Sequence, residues 1–195
     1  MKAISVIIPV YMEASNIKDA VNNVIWALNE TKIDDYELLI IDCLRPDDTH
    51  DGTPDIAMEL AKNDSHIAVF HNSYINLGTK YWMGVDKARF PHIILVPGDN
   101  ELVKEALRDI LMHIGEADIL ISYPVNTKVR SLARRILSKT YVSLINLSAG
   151  LNLRYYNGSC VHRTDILKKI EDRNDNLVYM AKLLVQLIKA GHSYK

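Results

Sequence analysis

Glycine is missing from the place where many phosphate-binding loops need it. The first apolar run ends in Pro9-Val10-Tyr11-Met12-Glu13. A dinucleotide-binding oxidoreductase, or a sugar-1-phosphate nucleotidyltransferase cradling a triphosphate, would place a glycine-rich turn there. The Walker A pattern is absent, and Gly158-Ser159 lacks the flanks of a nucleophile elbow, which argues against P-loop and serine-hydrolase chemistry. Cysteine is scarce as well. Cys43 and Cys160 show neither a CxxC pair nor Cys/His metal spacing, so both read as buried free thiols of a reducing compartment. No apolar run approaches bilayer length, and the run in residues 1–9 is too short for the core of a signal peptide. The expectation is a soluble, cytoplasmic chain. A net charge of −1 gives no global pull toward nucleic acid, so anion binding has to come from local clusters.

What is present is a rhythm. The 195 residues fit one domain with a sizeable core. Apolar, β-branched runs over residues 4–10, 36–42, 66–71, 93–96 and 118–122 predict strands. Amphipathic segments between them predict helices. Ser15 is an expected N-cap ahead of Ile17, Ala20, Val21, Val24, Ile25 and Leu28, and Thr53 is the expected N-cap of a second helix with Pro54 at its first position. A third carries Tyr81, Val85 and Ala88, and a fourth runs from Leu102 to a C-cap at Gly115. This alternation predicts an α/β fold, a mostly parallel sheet with right-handed crossovers and helices on both faces. The second half predicts a long helix over 129–147, a strand over 152–156, and helices over 164–170 and 176–190.

In such a sheet the strand carboxyl ends share one edge, where ligands collect. Tyr11 to Glu13, Asp42, Asn76 to Gly78 and Asp99 to Glu101 would converge there. Pro97-Gly98 stops the fourth strand, and Asp99 and Glu101 follow one residue apart. Paired hard oxygens suit Mg²⁺ or Mn²⁺, which in turn suits a diphosphate; acids that merely favour the start of a helix are the simpler alternative. On the long helix, Arg130, Arg134 and Ser138 step by four residues, within a basic side that includes Lys128, Arg135 and Lys139. They read as a phosphate clamp or as a solvated face.

The ordered set of motifs resembles family 2 glycosyltransferases over nearly the whole chain. Ser5 to Glu13 is similar to their opening motif, and Leu39 to Asp42 with Asp51-Gly52-Thr53 to their second. Asn76-Leu77-Gly78 with Gly84 and Ala88 is similar to the third, and Val96 to Glu101 stands where they carry the DxD element. Asp118 to Ser122 followed by Arg130, Arg134 and Ser138 resembles the dolichol-phosphate mannose synthase, or polyprenyl-phosphate sugar transferase, branch. There are departures. Pro97 replaces the first acid of DxD, and Cys43 stands where a second acid is common. The loop between Asp42 and Asp51 is longer than usual. Lys182 falls where relatives carry glutamate, and relatives continue past the position of Lys195 into a further strand.

The resemblance implies a GT-A fold with a nucleotide-sugar half over 1–122 and an acceptor half over 123–195. The donor-binding set it implies is Pro9, Tyr11, Glu13, Asp42, Asn76, Gly78, Gly98 and Asp99, with Asp42 accepting from the base. It also implies Mg²⁺ or Mn²⁺ on Asp99 and Glu101, and an acceptor phosphate on Arg130, Arg134 and Ser138. The activity implied is inverting transfer of a sugar from a UDP or GDP donor to a polyprenyl or dolichyl phosphate, with peripheral membrane contact. Two alternatives stand beside it: transfer to a saccharide hydroxyl in cell-surface polysaccharide synthesis, and a nucleotide-sugar-binding protein without turnover. A hydroxyl acceptor needs a carboxylate base, and no acid in residues 157–175 stands out for it.

Overall fold

The computed structural model describes residues 2–44, 47, 49–126, 131–176 and 178–195. In chain order its elements are β1 (Ala3–Pro9), α1 (Ile17–Glu30), β2 (Asp35–Cys43), α2 (Thr53–Asn63), β3 (Ile67–Asn72), α3 (Leu77–Lys87) and β4 (His92–Leu95). There follow α4 (Lys104–Met112), β5 (Ile119–Leu120), α5 (Leu132–Ala149), β6 (Val161–Arg163), α6 (Thr164–Leu167) and α7 (Tyr179–Lys189).

The strands form one sheet in the order β3-β2-β1-β4-β6-β5. β1 pairs in parallel with β2 and β4, and β2 with β3, while β6 runs antiparallel to both β4 and β5. The five strands predicted within residues 4–122 are therefore mutually parallel. Successive side chains of β1 serve opposite faces. Ile4, Val6 and Ile8 pack with Val21, Val24 and Leu28 of α1, Ala57 of α2 and Leu107 and Leu111 of α4. Ile7, with Leu39 and Leu95, packs on the other face against Tyr81 and Val85 of α3 and Leu183, Leu184 and Leu187 of α7. Burial on both faces is why these strands read as unbroken apolar runs.

Several boundaries differ from the sequence expectation. α1 starts after Asn16 rather than Ser15, and Thr53 is the first residue of α2, preceded by Gly52 at φ 100°. α4 starts at Lys104, and α5 starts after Ser131, whose hydroxyl accepts from the Arg134 N–H. Residues 152–156 form no strand. The Asn146 side chain accepts from the Leu153 N–H, donates to the Leu153 carbonyl and accepts from the Tyr156 hydroxyl, which folds this segment onto the end of α5. The sixth strand is the short Val161–Arg163 instead. Both cysteines are free and buried, and burial pushes the Cys160 thiol up to about 12, leaving it inert as a nucleophile.

β6 also carries a buried histidine. His162 is fully enclosed, its Nδ1 lies 3.3 Å from the Tyr81 hydroxyl, and its Nε2 has no partner. Burial lowers its pKa from 6.5 to about 3, so the ring is neutral when folded. Because the folded pKa is depressed, the unfolded chain takes up the proton first. Stability is complete above pH 6.5 and is lost as pH falls from there toward 3, by about 1.4 kcal/mol per unit. Urea unfolding at pH 7.5, 6 and 5 should show that slope in the wild type, and a shallower one in His162→Leu.

Candidate functional site

The carboxyl edge of the sheet gathers most of the predicted donor-site residues. Two buried carboxylates on β2 show why this edge differs from the opposite one. Glu37, near the amino end, is satisfied on both oxygens: Oε1 accepts from the Ser5 hydroxyl and the Arg89 N–H, each at 2.7 Å, and Oε2 accepts from Arg89 Nε at 2.7 Å. It is a structural lock. Asp42, at the carboxyl end, is only 1% exposed. Its Oδ1 accepts from the Cys43 N–H at 2.8 Å, but its Oδ2 has no hydrogen bond, with His71 Nδ1 3.6 Å away. A buried oxygen left without a donor is costly to folding. It is ready to accept one hydrogen bond from a ligand.

The loops around Asp42 are held from below and from the side. Lys80, on α3, is 2% exposed and donates from Nζ to the Val10 carbonyl at 2.5 Å, with its ammonium 5.6 Å from the centre of the Tyr11 ring. Burial pushes its pKa down, against the pull of Cys43 and Asp42. The first loop is tied to the second: the Glu13 N–H donates to the Thr53 hydroxyl at 2.8 Å and the Ala14 N–H to Asp51 Oδ2 at 2.9 Å. Partial burial pushes the Asp51 carboxyl up, yet the hydrogen bonds from Thr53 and Ala14 outweigh it and hold the pKa below the usual range. The Glu13 carboxylate accepts from Asn16 Nδ2 at 2.8 Å, so part of its role is to shape the turn into α1.

Asp99 stands one strand further along. Pro9, the last residue of β1, accepts from the Gly98 N–H at 3.2 Å. A Cβ on Gly98 would lie 2.4 Å from Val10 Cγ1, so glycine is what lets this turn close on the first loop. Asp99 is half-buried and accepts from the Glu101 N–H on Oδ1 at 3.0 Å, and Glu101 is exposed. Between them Asn100 holds φ 60° and accepts from Asn23 Nδ2 of α1 at 2.8 Å, which fixes the turn. Among the described residues no three His, Cys, Asp or Glu side chains gather into a metal cage. Hard oxygens on Asp99 and Glu101 therefore fit a divalent cation shared with a ligand's phosphates, and do not fit one enclosed by protein alone.

The third motif plays a different part. Asn76 is the exposed N-cap of α3, without a side-chain cap bond. A Cβ on Gly78 would lie 2.5 Å from the Asp175 backbone, so Gly78 admits the 172–176 loop. That contact brings Asp175 to the amino end of α3, on the same edge, where Thr79 donates to its Oδ2 at 3.3 Å. Lys80 and Asp175 were not anticipated from the sequence.

Beyond β4 lies a basic cavity of about 370 Å³, lined by Tyr123, Arg135, Ser138, Lys139, Val142 and Arg154 among others. Tyr123 follows β5, which lies two strands from β4, about 10 Å across the sheet at the usual spacing. Arg154 donates to the Tyr123 hydroxyl at 2.6 Å and stacks on its ring, while Arg135 Nε is buried without a partner. Among the described residues no carboxylate lines the cavity. Of the predicted clamp, Ser138 lines it and Arg134 is exposed. Arg130 lies outside the described residues.

Comparison with known proteins agrees with this architecture. A family model described as glycosyl transferase family 2 matches residues 5–171. The putative glycosyltransferase EpsH of Bacillus subtilis (strain 168) is 28% identical over 120 residues, 61% of this chain and 33% of that protein. S. aureus TarS 1–349 superposes with a TM-score of 0.63 at 19% identity, over all of this chain and 58% of that one. Glucosyl-3-phosphoglycerate synthase from Mycobacterium tuberculosis, solved with Mn²⁺, UDP-glucose and phosphoglyceric acid, gives 0.69 at 14% identity, over 97% of this chain and 66% of that one. The chain thus spans about a third of EpsH and 58% of the TarS chain. With the model matching 5–171 of 195 residues, this chain belongs to glycosyl transferase family 2.

Proposed function

We propose that this chain is an inverting, divalent-metal-dependent glycosyltransferase that moves a sugar from a UDP or GDP donor to an anionic acceptor, a polyprenyl phosphate, as in the dolichol-phosphate mannose synthase branch. The observation that carries the donor half is Asp42. Its buried, unpartnered oxygen sits at the carboxyl edge between the first loop and His71, suited to an N–H of a nucleobase. Pro9, Tyr11 and Glu13 line the nucleoside, with Lys80 bracing their loop from beneath. The complexes of structural neighbours with UDP-GlcNAc (TarS) and UDP-glucose (glucosyl-3-phosphoglycerate synthase) support the same donor class.

Asp99, with Glu101 beside it, would hold Mg²⁺ or Mn²⁺ against the donor diphosphate, and the bound cation offsets negative charge on the departing nucleotide. Gly98 brings this turn onto the first loop, so that diphosphate and nucleoside occupy one continuous surface. The acceptor half is the cavity on α5. Arg135, Lys139 and Arg154 supply cations, with no carboxylate among the described residues that line the cavity, and Ser138 supplies a hydroxyl. Arg134 extends the basic side of α5, and Arg130, the third member of the proposed clamp, lies outside the described residues. A phosphate oxygen is already a nucleophile at neutral pH, so this acceptor needs orientation and no base. Residues 1–122 then act as the donor half and 123–195 as the acceptor half.

A second reading has one observation in its favour. Asp175 is held at the amino end of α3 on the site's edge, where a carboxylate could take a proton from a saccharide hydroxyl. Asp175→Asn separates the two readings. With a phosphate acceptor, turnover of labelled donor onto undecaprenyl phosphate stays within about threefold of wild type. With a hydroxyl acceptor, kcat falls roughly a hundredfold or more while donor affinity holds, the usual weight of a general base. Donor binding without transfer to either acceptor would leave a binding protein.

A further inference from the structure

Asp42 does not stand alone at the carboxyl edge. β2 and β3 run parallel, with Asp42 and His71 in register. Partners in register on neighbouring strands present their side chains to the same face of the sheet, so the imidazole stands beside the carboxylate. Asp42 is 1% exposed, whereas β3 is the outermost strand and the His71 side chain is 35% exposed. One group is sunk in the edge and the other reaches out from it.

The geometry between them is not that of a closed ion pair. His71 Nδ1 lies 3.6 Å from Asp42 Oδ2, beyond hydrogen-bond distance, and that oxygen has no hydrogen bond. Two surface pairs show what a closed contact looks like: His66 Nδ1 meets Asp64 at 2.8 Å, and His113 Nδ1 meets Glu116 at 2.8 Å. Among the described residues the His71 imidazole makes no hydrogen bond either. The other cation near Asp42, Lys80, is tied to the Val10 carbonyl at 2.5 Å. What stays open is an acceptor oxygen and, beside it, a ring nitrogen that donates in the tautomer carrying its hydrogen. A ligand that offers an N–H next to a carbonyl would occupy both.

We infer that His71 is a base-reading residue of the donor site: Asp42 Oδ2 accepts the ring N–H of the base and the His71 imidazole donates to the adjoining carbonyl, a combination that uracil satisfies. Uracil presents one N–H between two carbonyls. Guanine presents its ring N–H beside a 2-amino group as well. The second carboxylate oxygen that this amino group would need is already held by the Cys43 N–H at 2.8 Å. A donor buried without an acceptor costs more than a matched one contributes, so the pair favours uridine over guanosine. The inference rests on the donor reading of this edge and adds to it a residue and a base.

Calorimetric titration with UDP, GDP and pyrophosphate, each with Mn²⁺, tests this on the wild type, His71→Ala and His71→Asn. The wild type should bind UDP at least roughly tenfold more tightly than GDP. His71→Ala should weaken UDP roughly three- to tenfold and leave pyrophosphate, which has no base, unchanged. His71→Asn keeps an N–H where Nδ1 stood and should recover most of that loss. Melting temperatures without ligand report the fold of each variant separately. Unchanged UDP affinity in His71→Ala, a loss shared by pyrophosphate, or GDP bound as tightly as UDP would each overturn the inference. A wild type that binds none of the three would instead remove the donor site on which it rests.

Discussion

Replacing Asp99 with alanine should lower kcat/KM for sugar transfer roughly a hundredfold to a thousandfold and remove its dependence on Mn²⁺. That is the scale of losing one charged stabiliser of a developing anion. The reason lies in how little else is there to hold a cation. Pro97 occupies the first acidic position of the motif, Glu101 is exposed, and among the described residues no three metal-capable side chains gather. Asp99 also accepts from the Glu101 N–H, so Asp99→Ala removes a turn contact as well as a ligand. Asp99→Asn keeps the acceptor oxygen and the shape of the turn while losing the charge. If charge is what matters, Asn and Ala fall together; if the turn is what matters, Asn retains most of the activity. Steady-state kinetics across a Mn²⁺ series distinguishes the two.

The second large effect is expected at Asp42, in binding rather than in stability. Asp42→Asn replaces a buried carboxylate, one of whose oxygens has no hydrogen bond, with a neutral group of the same shape. Asn relieves the cost of burying an oxygen that has no hydrogen bond and gives up only the longer-range attraction to Lys80 and His71, so the melting temperature should stay within a few degrees of wild type. The same change replaces a hydrogen bond to a charged acceptor, worth about 1.5–3 kcal/mol, so nucleotide affinity should fall roughly ten- to a hundredfold. Calorimetric titration with UDP or GDP beside thermal unfolding measures both. Glu37→Gln is the contrasting control: its carboxylate is fully bonded to Ser5 and Arg89 at the far edge. It should cost stability and spare affinity.

The parallel core was legible because its strands are buried on both faces and so are written as runs of isoleucine, valine and leucine. β6 was not, since Val161-His162-Arg163 has no apolar run and becomes a strand only by pairing between β4 and β5. Residues 152–156 looked like a strand, but Asn146 supplies the bonds a neighbouring strand would have supplied. In the site, Asp42 and Asp99 could be read because each ends an apolar run, and chain direction then puts both on one edge. Lys80 gave no such sign. A lysine on an amphipathic helix counts as solvent-facing until the packing of α3 tucks it under Val10. Asp175 reaches the edge through a contact made across nearly a hundred residues, which no local pattern records. On α5 the spacing of Arg134 and Ser138 was visible, yet a turn of 100° per residue decides which arginine meets the cavity, and Arg135 does.

The central claim is that the carboxyl edge between Asp42 and Asp99 holds a nucleotide together with a divalent cation. Thermal unfolding with UDP, GDP and CMP, each with and without Mn²⁺, tests it most directly. Ligand at about a hundred times its Kd should raise the melting temperature of a chain of this size by roughly 5–10 °C. The prediction is such a shift with UDP or GDP, dependent on Mn²⁺ and absent in Asp99→Ala. Millimolar UDP, GDP and CMP that all leave the wild-type melting temperature unmoved, with and without Mn²⁺, would contradict it.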